Sequence, residues 1–156
     1  MSNGDRRHLL PGLFSDLVRC ETRLYNALGE RLKAEHAIVT SQFELLRHLR
    51  DHPGARVADI AAVFAVGIGA ASKSADRLER QGWVERRANP ADRRSSLLAL
   101  TDSGARLTEA AERTFADALD SLVGGVLDAA ALAAVGDGLA ALRAALEDRK
   151  AGTPAG

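Results

Sequence analysis

The stretch from Arg56 to Thr101 constrains this chain more than any other. "RVADIAAVFAV" is a short helical segment with Ile60, Ala61 and Phe64 inward, and "GIG" then breaks the chain at Gly67 and Gly69. "AASKSADRLERQG" is helical again, with Gly82 where a left-handed C-terminal cap is expected. Two short helices parted by a brief glycine-containing turn have the spacing of a helix-turn-helix. After Gly82 the period changes. "WVERR" is a strand, "ANPAD" a turn and "SSLLALT" a returning strand. A β-hairpin directly behind the second helix makes the unit a winged helix-turn-helix.

Helical segments flank that unit on both sides. From Leu13 to about Ala34, apolar residues Phe14, Leu17, Leu24, Leu28 and Leu32 recur at helical steps, and Glu21 interrupts the stripe. In "TSQFELLRHLRDHPG", Thr40 or Ser41 caps the start, Phe43, Leu45, Leu46 and Leu49 form the buried side, and His52-Pro53-Gly54 stops the helix. Thr101-Asp102 caps another helix, Leu107 to about Val123, which ends before Gly124-Gly125. Leu132, Val135, Leu139, Leu142 and Leu146 then follow the spacing of a helix–helix seam. The expected fold class is mainly α with a small β-hairpin wing, a winged helix-turn-helix flanked by N- and C-terminal dimerisation helices. The central unit is too small to cover both outer stripes, so a homodimer is the economical way to bury them. One domain spans 1–156, with 38–102 as the DNA-binding part, 8–37 and 103–150 as the helical dimerisation part, and 151–156 as a disordered tail.

The formal net charge is zero, which at first argues against nucleic acid, but its distribution is uneven. Between Ala71 and Arg94, seven basic residues face four acids; from Thr101 onward, five face nine. A polyanion needs a local positive surface rather than a high overall pI. No apolar run approaches the roughly 18 residues of a membrane span, and the start "MSNGDRRHLLPGLF" has too short an apolar stretch for a signal peptide. The expected location is cytoplasmic. A single cysteine, Cys20, excludes an intramolecular disulfide framework.

"SADRLERQGWVERRANPADRRSSLLALTDSGARL" resembles the MarR family (multiple antibiotic resistance regulator type). Asp-Arg-Leu-Glu, the helix-ending Gly82, the Asp-Arg-Arg wing tip and Leu-Thr-x-x-Gly fall in the family's order. The resemblance implies a dimeric, usually repressive transcription factor, released from DNA by a small molecule or an oxidant. It also implies an effector cleft between the outer helices and the winged helix, lined here near Arg19, Arg23, His36 and Phe43.

In a helix-turn-helix the second helix reads the major groove from its N-terminal turns. Here that helix begins at Gly69. Ala70 and Ala71 are small enough to approach thymine methyls; Ser72, Lys73 and Ser74 offer donors, and Arg77 lies one turn beyond Lys73. Ser41, near the preceding helix's start, is placed to bind phosphate. Asp76 and Glu79 are potential local partners for Lys73 and Arg77. At the wing, Arg94 is expected in the minor groove, where a planar, weakly hydrated guanidinium meets focused negative potential. The resemblance implies that Asp92 accepts from that guanidinium and directs it. Arg93, Arg86 and Arg87 are expected on phosphates. The expected partner is double-stranded DNA with pseudopalindromic half-sites about 34 Å apart.

Other signals fall away. "GIGAAS" lacks the third glycine of a dinucleotide loop and follows no strand. His48 and His52 make at most half a metal site, and no catalytic triad can be assembled, so no enzyme activity, metal or cofactor is expected. Trp83 is expected to pack under the recognition helix. Two alternatives stay open. One is a dimeric protein-interaction module without DNA binding, because the recognition helix starts with small residues. The other is a redox-sensing repressor using Cys20, near Arg19 and Arg23, although "LVRCETRLY" departs from the peroxide-sensor motif.

Overall fold

The computed structural model describes residues 3–154, with side chains from Arg7 onward. Its elements are α1 (Asn3–His36), α2 (Thr40–Asp51), α3 (Val57–Val63), α4 (Ile68–Arg80), β1 (Val84–Ala88), β2 (Ser96–Leu100), α5 (Asp102–Val123) and α6 (Ala129–Asp148). The chain is mostly helical with one antiparallel hairpin, as expected from its sequence. Of the expected tail, residues 151–154 form a turn and an irregular end, and 155–156 lie outside the described residues.

Three boundaries differ from the sequence reading. Helix α1 starts at Asn3 rather than Leu13 and runs through Pro11. The proline removes the bond to Arg7's carbonyl, but this segment is exposed, so water can satisfy the freed oxygen. Helix α2 is not capped by Thr40 or Ser41. Val39 is the N-cap, and the Gln42 side chain accepts from its backbone N–H at 3.0 Å. Thr40 is buried and donates to the Tyr25 carbonyl at 3.2 Å, pinning α2 to α1. Helix α5 begins at Asp102, five residues' worth of chain before Leu107 being already helical, with Thr101 as a true side-chain cap.

Two adjoining clusters form the core. Under the winged helix, Leu46, Leu49, Ile60, Ala75, Leu78, Val84 and Leu98 pack together. Between α1, α2 and α5, Leu32, Ile38, Phe43 and Ala111 form a second cluster. Trp83, half-buried, packs against both clusters and couples the hairpin to each. The expected packing role for Trp83 is what the fold uses.

The end of α4 follows from one glycine. Gly82 has φ +74°, Gly82 N–H donates to Glu79 O at 2.9 Å, and Trp83 N–H donates to Leu78 O at 3.1 Å. Those paired bonds are a Schellman cap, and Trp83 packs back over the Leu78 cluster. The chain then enters the hairpin, with Val84 opposite Leu100 and Ala88 opposite Ser96. A third, short pairing was not anticipated: Ala55 bridges to Leu98, with Leu98 N–H donating to Ala55 O at 2.9 Å. A single residue carries no period to detect.

Helix α6 stands apart, with none of its residues buried. Contrary to the sequence reading, Ala129–Asp148 is long and apolar enough to cross a membrane by length and composition. Alanine accounts for the difference, since it raises apolarity without forming an obvious hydrophobic run. Its large apolar residues nonetheless lie on one seam, Leu132, Val135, Leu139, Leu142 and Leu146, and all remain exposed.

Candidate nucleic-acid interface

Helices α3 and α4 meet at 115° across the turn Phe64–Gly67. The left-handed residue in that turn is Ala65 (φ +50°), and not a glycine. Gly67 is the N-cap of α4, and Gly69 lies inside the helix rather than in the break. The recognition helix therefore begins one residue earlier than expected. Ile68, which sequence reasoning passed over, stands at its head and is 63% exposed.

Period divides α4 into two faces. Ala71, Ala75 and Leu78 enter the core, while Gly69, Ala70, Lys73, Ser74 and Arg77 are exposed and Ser72 is half-buried. Ala71 is 2% exposed, so the expected contact with a thymine methyl is excluded by its burial. Ala70 remains available. Ser41 and Ser74 do not stand only on the outer face: both line an open cavity of 590 Å³ walled by residues of α1, α2, α3, α4 and α5.

The acids of α4 have a partner that was not foreseen. Asp76 and Glu79 bind Arg86 of β1 rather than Lys73 or Arg77. The Glu79 contact is 3.2 Å, and Arg86 also reaches Ser96 at 3.5 Å. Its side chain is 26% exposed. Arg86 therefore fastens the wing to the recognition helix. Next to it, Arg87 is 63% exposed and pairs only with Glu85 among the described residues.

At the wing tip, side chains hold the loop through backbone groups. Asn89 Oδ1 accepts from Ala91 N–H at 3.0 Å, and Asn89 Nδ2 donates to Ser95 Oγ at 2.8 Å. Asp92 Oδ1 accepts from the backbone N–H of Arg94 at 2.9 Å. The expected Asp92–guanidinium pair is not formed; the carboxylate shapes the turn, because the backbone N–H two residues on is nearer than the end of a long side chain. Arg93 and Arg94 are exposed, with no ion pair within 4.0 Å among the described residues. Arg86, Arg87, Arg93 and Arg94 line one open groove of 480 Å³. A further basic residue, Arg56, stands at the head of α3, close enough to Asp92 to feel its charge. Its short local pairing gave no sequence signal.

Two titrating groups sit behind this face. Bonds from the Arg56 side chain and backbone hold the Asp59 carboxyl at a pKa of about 2. Burial, then the charge of His52, pushes His48 below 6.5. The His48 and His52 rings stack at 4.4 Å, and His48 meets Phe64 edge-on at 5.7 Å. No cluster of three or more metal-ligating side chains occurs among the described residues.

Arg19, Arg23, His36 and Phe43 do not themselves line the 590 Å³ cavity, although their chain neighbours Glu21, Leu24 and Glu44 do. Phe43 is fully buried and packs against Phe115 at 4.9 Å. His36 Nε2 meets Thr114 Oγ1 at 2.8 Å, whereas Arg19 and Arg23 are exposed along α1. Cys20 is exposed.

Residues 28–96 match the sequence model of the MarR family. The multiple antibiotic resistance protein MarR of Escherichia coli (strain K12) is 38% identical over 103 residues, covering 62% of this chain and 72% of that protein. The chain belongs to the MarR family. The MarR protein of Salmonella typhimurium is 36% identical over the same shares. Among solved structures, a mutant Escherichia coli MarR complexed with operator DNA is 28% identical, with TM-score 0.76, covering 86% of this chain and 95% of that one. A MarR family transcriptional regulator from Streptomyces coelicolor in complex with DNA has TM-score 0.80 at 23% identity, covering 91% and 90%. That second likeness concerns the fold. Members of the MarR family are transcriptional regulators rather than enzymes, and this chain is a MarR-family transcriptional regulator.

Proposed function

We propose that this chain is a ligand-responsive repressor that binds a pseudopalindromic operator as a homodimer. The observation that carries the DNA reading is the arginine-lined wing groove fastened through Arg86 to the helix that exposes Lys73 and Arg77. The exposed side of α4 (Ala70, Ser72, Lys73, Ser74, Arg77) and the arginine-lined wing groove are joined rigidly through Arg86. Insertion of α4 into the major groove sets Arg93 and Arg94 over the adjacent backbone and minor groove. Arg87 meets phosphate, and Ser41 serves the same backbone or the cavity beside it. The operator complex of the 28% identical Escherichia coli MarR supports a duplex DNA partner.

Residues 38–102 form the DNA-binding part in this proposal, and 8–37 with 103–150 the dimerisation part. The support is the unburied seam of α6, together with exposed Leu13, Phe14 and Leu17 on α1. A second copy covers both stripes, which reads α6 as an interface helix of a cytoplasmic protein. The 590 Å³ cavity lies between outer helices and the winged helix and has a size suited to a small-molecule effector.

Salt-titrated fluorescence anisotropy on the chain's own upstream DNA tests this reading. Affinity should fall steeply and linearly with log salt, and a specific site should outcompete random duplex by about a thousandfold or more. Indifference to duplex DNA at low salt, in a properly folded sample, overturns it in favour of an interaction module.

A further inference from the structure

The cavity behind α4 is apolar over most of its wall, and the charged groups that line it, Glu21 and Glu44, are both carboxylates. Glu44 is neutralised by Arg47, whose Nη2 donates to both carboxylate oxygens at 2.9 and 3.1 Å. Glu21 has no such partner among the described residues; it accepts only from the neighbouring Thr22 hydroxyl, at 3.3 Å. Its position is unusual for a surface acid. Glu21 interrupts the apolar stripe of α1, placing a carboxylate where the helical period calls for a hydrophobic side chain. One turn on, Tyr25 lines the same space, and Phe64 and Phe115 add aromatic surface from α3's end and α5.

We propose that the cavity takes a lipophilic organic cation, a protonated amine or quaternary onium with an apolar or aromatic body, and that Glu21 is its counter-ion. The inference rests on reading this cavity as the effector site. An anion entering here would meet the unpaired carboxylate of Glu21 and find no free cation on the wall among the described residues, since Arg47 is already held by Glu44. A cation meets Glu21 and the rings of Tyr25 and Phe64, which attract positive charge, while Phe115 already carries the Arg47 guanidinium at 5.3 Å. Ala71 and Ser74 of α4 form part of the same wall, so an occupant presses on the inner side of the recognition helix. Ligand affinity and DNA affinity are then thermodynamically linked.

Tetraphenylphosphonium and tetraphenylborate have nearly the same size and shape and opposite charge, which makes them a matched pair for calorimetric titration of the full chain. The phosphonium should bind about tenfold or more tighter than the borate, and Glu21→Gln should remove most of that difference. Leu119→Trp, which fills the cavity, should weaken binding of both ions. Equal or stronger borate binding, or a preference unchanged in Glu21→Gln, overturns the cation assignment while a response to Leu119→Trp preserves the effector cavity. If neither ion binds, or if binding ignores Leu119→Trp, the cavity reading itself falls. Thermal melts accompany each variant, and Val66→Trp at the cavity's exposed rim replaces Leu119→Trp if the latter melts early.

Discussion

Arg86 and Arg87 stand side by side on one strand, where successive side chains point to opposite faces. One is held by Asp76 and Glu79, and the other reaches into solvent. Their loss should therefore look different. Arg87→Ala should weaken binding to all duplexes alike and reduce the salt slope by about one unit. Arg86→Ala should cost more affinity. It frees the wing from α4 and leaves two unneutralised carboxylates facing the phosphates, and it should lower Tm as well. At the wing tip, Arg94→Ala should cost about 1–3 kcal/mol of specific binding, read by anisotropy on operator DNA. Full affinity after joint loss of Arg93 and Arg94 would remove the wing from the interface. The basic character of these positions was legible in the sequence; their division into clamp and contact was not. Which guanidinium meets which carboxylate depends on α4 and β1 packing together.

Gly104 shows how a motif residue acts at the scale of an element. A Cβ there would lie 2.0 Å from the Trp83 carbonyl oxygen, so α5 can approach the hairpin only without a side chain. Thr101 secures the same junction, accepting from Gly104 N–H at 3.1 Å and donating to Gly82 O at 2.6 Å. Gly104→Ala should destabilise by about 3 kcal/mol, lowering Tm by about 10 °C in a calorimetric scan. The junction of α2 and α3 carries a pH dependence. Because the fold lowers His48 from 6.5, its contribution is complete above 6.5 and is lost as pH falls below, where the unfolded chain takes up the proton first. The depressed Asp59 contributes above 3.8 and loses that contribution as pH falls towards about 2. Melts should show Tm declining below pH 6.5, and His48→Gln should flatten that first decline while the acid limb, held chiefly by Arg56, changes far less.

For the whole molecule the decisive feature is what one copy leaves uncovered. Helix α6 buries none of its residues, and Leu139 at the centre of its seam is 43% exposed. A charge at that position should oppose the proposed self-association. Leu139→Glu should give a monomer by light scattering and weaken operator binding, since each half-site is then held alone. A wild-type chain that is already monomeric overturns the dimer. The seam's spacing was legible in the sequence, but the span-like apolarity of α6 was not, because it comes from alanines between the seam positions.

Local order in this chain follows from short-range rules that a sequence carries openly. Helical stripes, the alternation of the hairpin, Gly82's left-handed cap and the Thr101 cap each need only neighbours within a few residues. Long-range partners were decided by tertiary packing alone. Arg86 reaches across to α4, Ala55 bridges to Leu98, Asp92 turns to a backbone N–H, and Glu21 faces a cavity walled by four other segments. Local periodicity tells a side chain which face it occupies; only the docking of distant elements determines what stands opposite.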